Sequence, residues 1–462
     1  MNKYYATTPI YYVNDVPHIG HTYTTIAADV ITRFYKQIGY DARLLTGADE
    51  HGAKIEEAAK KHNLKPQQYV DQISSEFKQI WDKLNINYSR FIRTTDEDHI
   101  KIVQGFLQKM YENDAIDQNP RLYKGLYCVG HEKFMSPEEL TDGVCSEHKT
   151  KPIEYAEENY YFKLSKFQDQ LETLISSDEI NVRPIARKNE VLGKIKQGLE
   201  DISISRASLE WGIPLPFDNK HTVYVWIDAL INYYTYGKEK GIWPADLHLV
   251  GKDILWFHSI IWPAMLLSIN EETPKQVFAH GFFTINGQKM SKTIGNVIKP
   301  EELITKYGVD GTRYVLLSAF PFGEDGDFSW EYLDRSFNAD LANGLGNLIA
   351  RIAKLAEKVN FKVTETTEIF DPLVSQKLKE LKFSEALTFI WQDIAALDKK
   401  INEVQPWKLE TAELTEFLSE SSIKIRSIAL SLKPFLPETA EKILTQFSGE
   451  VKSGPSLFPR IR

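Results

Sequence analysis

The first forty residues constrain the fold most. Lys3-Tyr-Tyr-Ala-Thr-Thr-Pro-Ile-Tyr-Tyr-Val13 is rich in β-branched and aromatic residues and reads as a buried strand. Thr22 to Ile38 then carries apolar residues at helical spacing: Ile26, Val30, Ile31 and Phe34. The turn between them holds Asn14, Asp15, Pro17, His18, Gly20 and His21. A strand that feeds straight into a helix N-terminus sets free N–H groups and the positive end of the helix dipole at the carboxyl edge of a sheet. That is a phosphate site, and it predicts an α/β fold with a nucleotide at its edge. His18 and His21 can add two donors toward phosphate oxygens, while Gly20, without a side chain, lets a flat base approach the backbone. Two histidines that merely cap an ordinary helix are the plainer alternative.

A second basic motif lies far downstream, in Gly281-Phe-Phe-Thr-Ile-Asn-Gly287-Gln-Lys289-Met-Ser-Lys292-Thr-Ile-Gly295. Glycines on both sides of Lys-Met-Ser-Lys read as a loop that closes two ammonium groups, Lys289 and Lys292, over a triphosphate as charge develops at the α-phosphorus. A solvated basic loop is the competing reading.

The chain has 462 residues, 42% of them hydrophobic, which is enough for two or three domains with cores of their own. No apolar run is long enough to span a bilayer, and Met1-Asn2-Lys3 leads into a strand without a signal-peptide pattern, so a cytoplasmic protein is expected. The net charge of -9 argues against indiscriminate nucleic-acid binding but leaves room for a local basic track along which one RNA lies.

Along the chain, residues 1–116 alternate strand and helix patterns, with Ala42 to Gly47 strand-like and Asp49-Glu-His-Gly52 following. A second α/β stretch runs through Thr222 to Trp226, His248 to Asp253 and Val277 to Gly281. Residues 117–215 read as an insertion between these halves. From about residue 331 strand patterns are scarce, and Leu341, Leu345, Leu348, Ile349, Ile352 and Leu355 form a helical apolar stripe. An interrupted dinucleotide-type α/β fold with a helical tail is the economical architecture.

Together His18-Ile-Gly-His21 and Lys289-Met-Ser-Lys292-Thr293 resemble the two ATP-binding signatures of class I aminoacyl-tRNA synthetases, with Thr293 where that family ends its motif in serine. The surrounding segments narrow the resemblance to the methionyl-tRNA synthetases. They are Thr7 to His21, Leu45 to Gly52, Phe91 to Asp96, Asp201 to Arg206 with Trp211 to Pro214, Tyr224 to Leu230 and Gly251 to His258. The resemblance implies a Rossmann-like catalytic domain in two halves, 1–116 and 216–278, split by the insertion 117–215. It further implies a stem-contact region at 279–330 and an α-helical anticodon-binding bundle at 331–462. It assigns methionine to Pro9, Ile10, Tyr12, Asp49, Val225, Trp226, Ala229, Leu230, Tyr233, Ile254 and His258, and ATP to His18, Gly20, His21, Gly251, Asp253 and Lys292. The assignment makes chemical sense. Asp49 can hold the substrate ammonium, and Trp226, Tyr12 and Ile254 offer a polarizable box for a thioether. A hydrophobic pocket discriminates one methylene by only about 1–3 kcal/mol, so rejection of homocysteine calls for proofreading or intramolecular cyclisation as well as fit.

The insertion holds Cys128-Val-Gly-His131 and Cys145-Ser-Glu-His148, which use the only two cysteines of the chain. Thiolates and imidazoles at this spacing, within 128–148, form knuckle-like turns able to complete a structural zinc site, and a knuckle held by packing without metal is the alternative. Related synthetases often have cysteine where His131 stands. In the tail, the family match covers Asn338 to Asn347 with Arg351, and Val404-Gln-Pro406-Trp407. Asn347 and Arg351 share a helix face, where an amide and a guanidinium can read base edges. Trp407 offers a stacking surface for an unpaired base. By resemblance this surface, Asn347, Arg351, Pro406 and Trp407, reads the CAU anticodon of methionine tRNA; the alternative is a core tryptophan behind a helix-ending proline.

The implied reaction is attack of the methionine carboxylate on the α-phosphorus of ATP, with His18, His21, Lys289, Lys292 and Mg2+ orienting groups and stabilising charge. Transfer of the methionyl group to the terminal adenosine of the tRNA follows. Arg206 with Trp211-Gly212 is expected to brace the acceptor end or an active-site loop. An enzyme for leucine, isoleucine or valine is disfavoured because the insertion has room only for a small knuckle, not for an editing domain. Intact His18, His21 and Lys292 disfavour a silent tRNA-binding paralogue, and the helical tail disfavours a nucleotidyltransferase acting on a small cofactor precursor. No oligonucleotide-binding module follows the tail before Arg462, so a monomer is expected.

Overall fold

The computed structural model describes residues 2–128, 133–135, 140–145, 149–289, 296–364 and 369–461. Its centre is a six-stranded sheet made of β1 (Lys3–Tyr12), β2 (Asp41–Asp49), β3 (Arg90–Arg93), β4 (Asn181–Arg183), β5 (Leu247–Gly251) and β6 (Gln276–His280). The spatial order is β4-β6-β5-β1-β2-β3 and every pairing is parallel. A parallel sheet buries both faces, which is why these strands read as apolar runs without strict alternation. The chain leaves β1 toward β2 on one side and reaches β5 on the other. The crevice at the carboxyl ends of β1 and β5 is therefore the switch point where such folds take ligands.

The β1–β2 register slips between Thr7 and Ile10, at Pro9, which has no N–H to give the ladder. The extra residue re-aims Ile10 and Tyr12 at the end of the strand. The helix α1 (Ile19–Gln37) follows directly, three residues earlier than the apolar spacing alone predicts, because His18 and His21 supply the cap.

Within 117–215, Arg121–Cys128 pairs with Lys133–Met135 and with Ile153–Asn159 in a small antiparallel sheet. The same range also gives the main sheet its edge strand, β4. Thr222 to Trp226 yields only a two-residue strand, Thr222–Val223, antiparallel to Ser205–Arg206, before the helix Val225–Glu239 begins.

The tail is helical over Asn347–Lys358, Pro372–Lys379, Phe383–Val404, Thr411–Leu432 and Pro437–Gln446. All six residues of the predicted stripe from Leu341 to Leu355 are buried. The tail core is continuous with that of the α/β body: Phe34 of α1 meets Phe370, and Phe322 meets Phe383 edge-on at 4.8 Å. Among the described residues no helix is long and apolar enough to cross a membrane.

Candidate active site

The end of β1 and the start of α1 form the first wall. His18 is the N-cap, and its Nδ1 accepts the Gly20 N–H at 3.1 Å. Nδ1 of His21 accepts the His18 N–H at 3.3 Å, closing a reciprocal box in which imidazoles replace the usual hydroxyl and carboxylate. The two rings stack with centroids 3.7 Å apart. Burial lowers His18 to a pKa of about 4, and burial with the neighbouring His18 holds His21 well below the ordinary imidazole value. A neutral ring whose Nδ1 is an acceptor carries its proton on Nε2. Each histidine therefore presents an Nε2–H donor. A side chain on Gly20 would start 3.0 Å from Cε1 of His18, so the glycine first serves to let that ring fold over the helix end.

The second wall is an apolar, aromatic cluster, the candidate methionine pocket. Ile10, Tyr12, Val225, Trp226, Ala229, Leu230, Tyr233 and Ile254 belong to one hydrophobic cluster, drawn from β1, the helix Val225–Glu239 and the turn after β5. Trp226 stacks on Phe257 with centroids 4.0 Å apart. His258 sits in a wide π-helical turn, Phe257–Ile261, a local irregularity frequent at functional sites. Its Nδ1–H donates to the Ile254 carbonyl at 2.9 Å, which leaves Nε2 to accept the Tyr233 hydroxyl proton at 2.7 Å. Burial brings His258 to about 4 and pushes the Tyr233 phenol up, so this pair stays uncharged. Asp49, at the carboxyl end of β2 and paired in register with Tyr12, is the buried carboxylate near Tyr233, Pro9 and Ile10 lying on the same strand end as Tyr12.

The loop after Asp49 is fixed by contacts that sequence reasoning missed. Glu50 is fully buried and bonds to Arg93 at 2.6 Å, to Ser74 and to Thr95; burial raises its carboxyl despite those donors. His51 Nδ1 lies 2.7 Å from Asp228, whose other oxygen is 2.8 Å from Nε2 of His99. Burial alone would raise Asp228, but His51 and His99 more than offset it and hold its carboxyl below the usual range. Asp228 sits on the pocket helix, so this bridge ties that helix to the loop carrying Asp49. The Trp211 indole donates to the Glu50 carbonyl at 2.6 Å, and Gly52 N–H donates to the Trp211 carbonyl at 3.1 Å. Trp211 thus braces this active-site loop. Nothing in the apolar pattern announces Asp228 or His99; an aspartate and a histidine on apolar helix faces were the available signal.

On the nucleotide side, β5 ends at Gly251, where a side chain would strike the carboxylate of the exposed Asp253 at 2.5 Å. His280, at the end of β6, donates from Nδ1 to the Gly281 carbonyl at 2.8 Å and accepts from Thr24 of α1 at 2.6 Å. The backbone of Gln288–Lys289 pairs with Phe283–Ile285. Lys292 and the rest of 290–295 lie outside the described residues, as does the Lys289 side chain.

Cys128 and Cys145 are buried and share a small cluster with Met135. His131 and His148 lie outside the described residues, and among the described residues no group of three metal-ligating side chains occurs. In the tail, Pro406 is buried while Trp407 is 52% exposed, which sets aside a core role for the tryptophan. Gln405, in the left-handed region at φ 51°, ends the helix Phe383–Val404 and turns the chain so that Trp407 faces out. Arg351 bonds to Asp398 and, at 2.9 Å, to Asn402, and Asn347 one turn away is exposed.

A parallel sheet with a histidine-capped helix at its switch point and an aromatic pocket beside it defines a class I tRNA synthetase. The family profile "tRNA synthetases class I (M)" matches residues 4–145 and 132–353. The methionine–tRNA ligase of Clostridium acetobutylicum is 45% identical over 98% of this chain and 75% of its own length, and that of Thermotoga maritima 42% over 97% and 76%. The Mycobacterium tuberculosis methionyl-tRNA synthetase in complex with methionyl-adenylate superposes with a TM-score of 0.92 at 35% identity, covering 100% of both chains. Its apo form gives 0.84 at 32% identity over 100% of this chain and 99% of that one. The chain belongs to the methionine–tRNA ligase family.

Proposed function

We propose that this chain activates L-methionine with ATP to methionyl-adenylate and transfers the methionyl group to the 3'-terminal adenosine of a methionine tRNA. The observation that carries this reading is the uncharged Tyr233–His258 pair inside the aromatic pocket, with one buried carboxylate, Asp49, at the strand end. A thioether is a weak acceptor that gains little from charged partners and is well matched by polarizable rings. The carboxylate then meets the substrate ammonium, which leaves the substrate carboxylate directed to the crevice where His18 and His21 present Nε2–H donors. These donors orient phosphate oxygens, and Lys289 and Lys292 supply positive charge to the transition state. Mg2+ travels with the phosphates of ATP and contributes further charge when bound. No side-chain nucleophile is required.

The tail surface of Asn347, Arg351, Pro406 and Trp407 is the proposed reader of a CAU anticodon, supported by the exposed indole of Trp407 and by the Arg351 guanidinium, which Asp398 and Asn402 hold in place. The division into 1–116, 117–215, 216–278, 279–330 and 331–462 follows that reading, and a cytoplasmic location is proposed with it. Zinc is proposed as a structural ion held by Cys128, His131, Cys145 and His148. In support, both thiols are buried in a cluster too small to form a core, and the Lys149 N–H donates to the Cys145 carbonyl at 2.9 Å. Charging of tRNA transcripts tests the function: a CAU transcript should accept methionine and one with an altered anticodon should be charged far less. Equal charging of both would refute the anticodon assignment.

A further inference from the structure

Arg313 is a fully buried cation at a junction of four chain segments. It lies on the helix Pro300–Ser318, beyond its kink at Gly308. Its Nη2 donates to Asp29 Oδ2 at 2.6 Å and to the Pro434 carbonyl at 3.1 Å, Nε donates to the Phe435 carbonyl at 2.7 Å, and Nη1 reaches the Leu84 carbonyl at 3.3 Å. Asp29 is on α1, the helix capped by His18, and is itself fully buried, accepting also from Arg33 at 2.7 Å and from the Asn87 N–H at 2.8 Å. Pro434 and Phe435 belong to the turn that follows the tail helix Thr411–Leu432. One guanidinium therefore holds the catalytic helix and the helical tail at once.

Two further contacts grip the same part of the tail. Gln37, at the far end of α1, donates to the Leu430 carbonyl at 2.9 Å, and Asp310, three residues before Arg313, accepts the Thr439 N–H at 2.6 Å. All three use directional bonds to tail backbone at positions where apolar packing alone would permit sliding. A buried ion pair is a poor source of net stability, since its desolvation offsets its attraction, and it is better suited to fixing one geometry. The planar fork of arginine suits that task, because its donors point to separate acceptors in fixed directions.

We propose that Arg313 is a positioning residue that locks the α/β body and the helical tail at one angle, so that a tRNA held by the tail delivers its acceptor end to the active site. This rests on the reading of the tail as the anticodon surface. A loosened joint would leave both surfaces competent but out of register. Binding of tRNA would survive while the rate of transfer falls, because misplacement by about 1 Å can cost on the order of a hundredfold.

The test uses Arg313→Lys, which keeps a charge beside Asp29 but cannot span the tail carbonyls, with Gln37→Ala as a milder variant that leaves the buried pair intact. Wild-type methionine-dependent exchange, wild-type charging of an acceptor-stem minihelix and an unchanged KM for full-length tRNA are expected, with kcat for full-length tRNA down roughly tenfold to a hundredfold in Arg313→Lys and in the same direction, more weakly, in Gln37→Ala. Parallel loss of exchange, minihelix charging and full-length charging would make Arg313 a purely structural residue and overturn the proposal. Unchanged full-length charging in a folded Arg313→Lys protein would also overturn it. Trp407→Ala separates the two readings: if it charges tRNA like wild type, the anticodon surface is misassigned and the proposal falls with it, whereas a defect in Trp407→Ala alone rejects only the joint.

Discussion

Acidification should destabilise the protein by an amount set by its buried neutral histidines. His258 and His280 are 1% and 5% exposed, and burial holds each at a pKa of about 4 against 6.5 for an ordinary imidazole. The folded-state value lies below the unfolded one, so the stability is fully present above pH 6.5 and is lost as the pH falls toward 4, where the unfolded chain takes up protons that the folded chain refuses. Passing from about pH 7.5 to about pH 5.5 removes on the order of 1 kcal/mol per ring, or a few kcal/mol for the two. That is a large share of the roughly 5–15 kcal/mol of a typical domain. His18, His21 and His248 are lowered in the same direction, chiefly by burial, and steepen the decline. The assay is urea unfolding at the two pH values on wild type and on His280→Gln. Glutamine can still donate to the Gly281 carbonyl and accept from Thr24, yet it does not titrate. The variant should lose on the order of 1 kcal/mol less than wild type over this interval. Equal losses in the two proteins would refute the reasoning.

Lys292→Ala should slow single-turnover adenylate formation far more than it weakens methionine binding, because a loop ammonium acts on transition-state charge; an unchanged rate with a raised methionine dissociation constant would reverse that role. Purified protein should hold close to one zinc per chain by elemental analysis, and Cys145→Ser should lower both zinc content and thermal stability; absence of zinc, with stability indifferent to added metal, would favour a knuckle held by packing. Trp407→Ala should leave pyrophosphate exchange intact and cut tRNA charging roughly tenfold or more, since lost stacking costs about 1–3 kcal/mol and an exposed indole adds little to folding. Arg351→Ala should in addition blunt discrimination between CAU and altered anticodons, measured as the ratio of their kcat/KM values.

What could be read from the residues was what repeats locally. The strand into α1, the strands ending at Gly251 and His280 and the stripe Leu341 to Leu355 all announce themselves by composition or period. Thr222 to Trp226 looked like part of the same α/β pattern, but only two residues pair before the helix that carries Trp226 and Asp228 begins. Strand-like composition over five residues cannot settle that boundary. The long-range polar contacts were not legible. Asp228 between His51 and His99, and Arg313 between Asp29 and Phe435, each join residues more than a hundred positions apart. No local pattern marks a buried ion pair, because its partner is chosen by the fold. The histidine tautomers were hidden for the same reason: both signature histidines looked like donors from the sequence, and only the cap geometry fixes which nitrogen donates.

The most direct test of the whole account is amino-acid-dependent exchange of pyrophosphate into ATP, measured over the common amino acids with the purified protein. The aromatic pocket closed by an uncharged Tyr233–His258 pair predicts rapid exchange with methionine alone. A rate with leucine, isoleucine or valine equal to that with methionine, or no exchange with any amino acid, would contradict it.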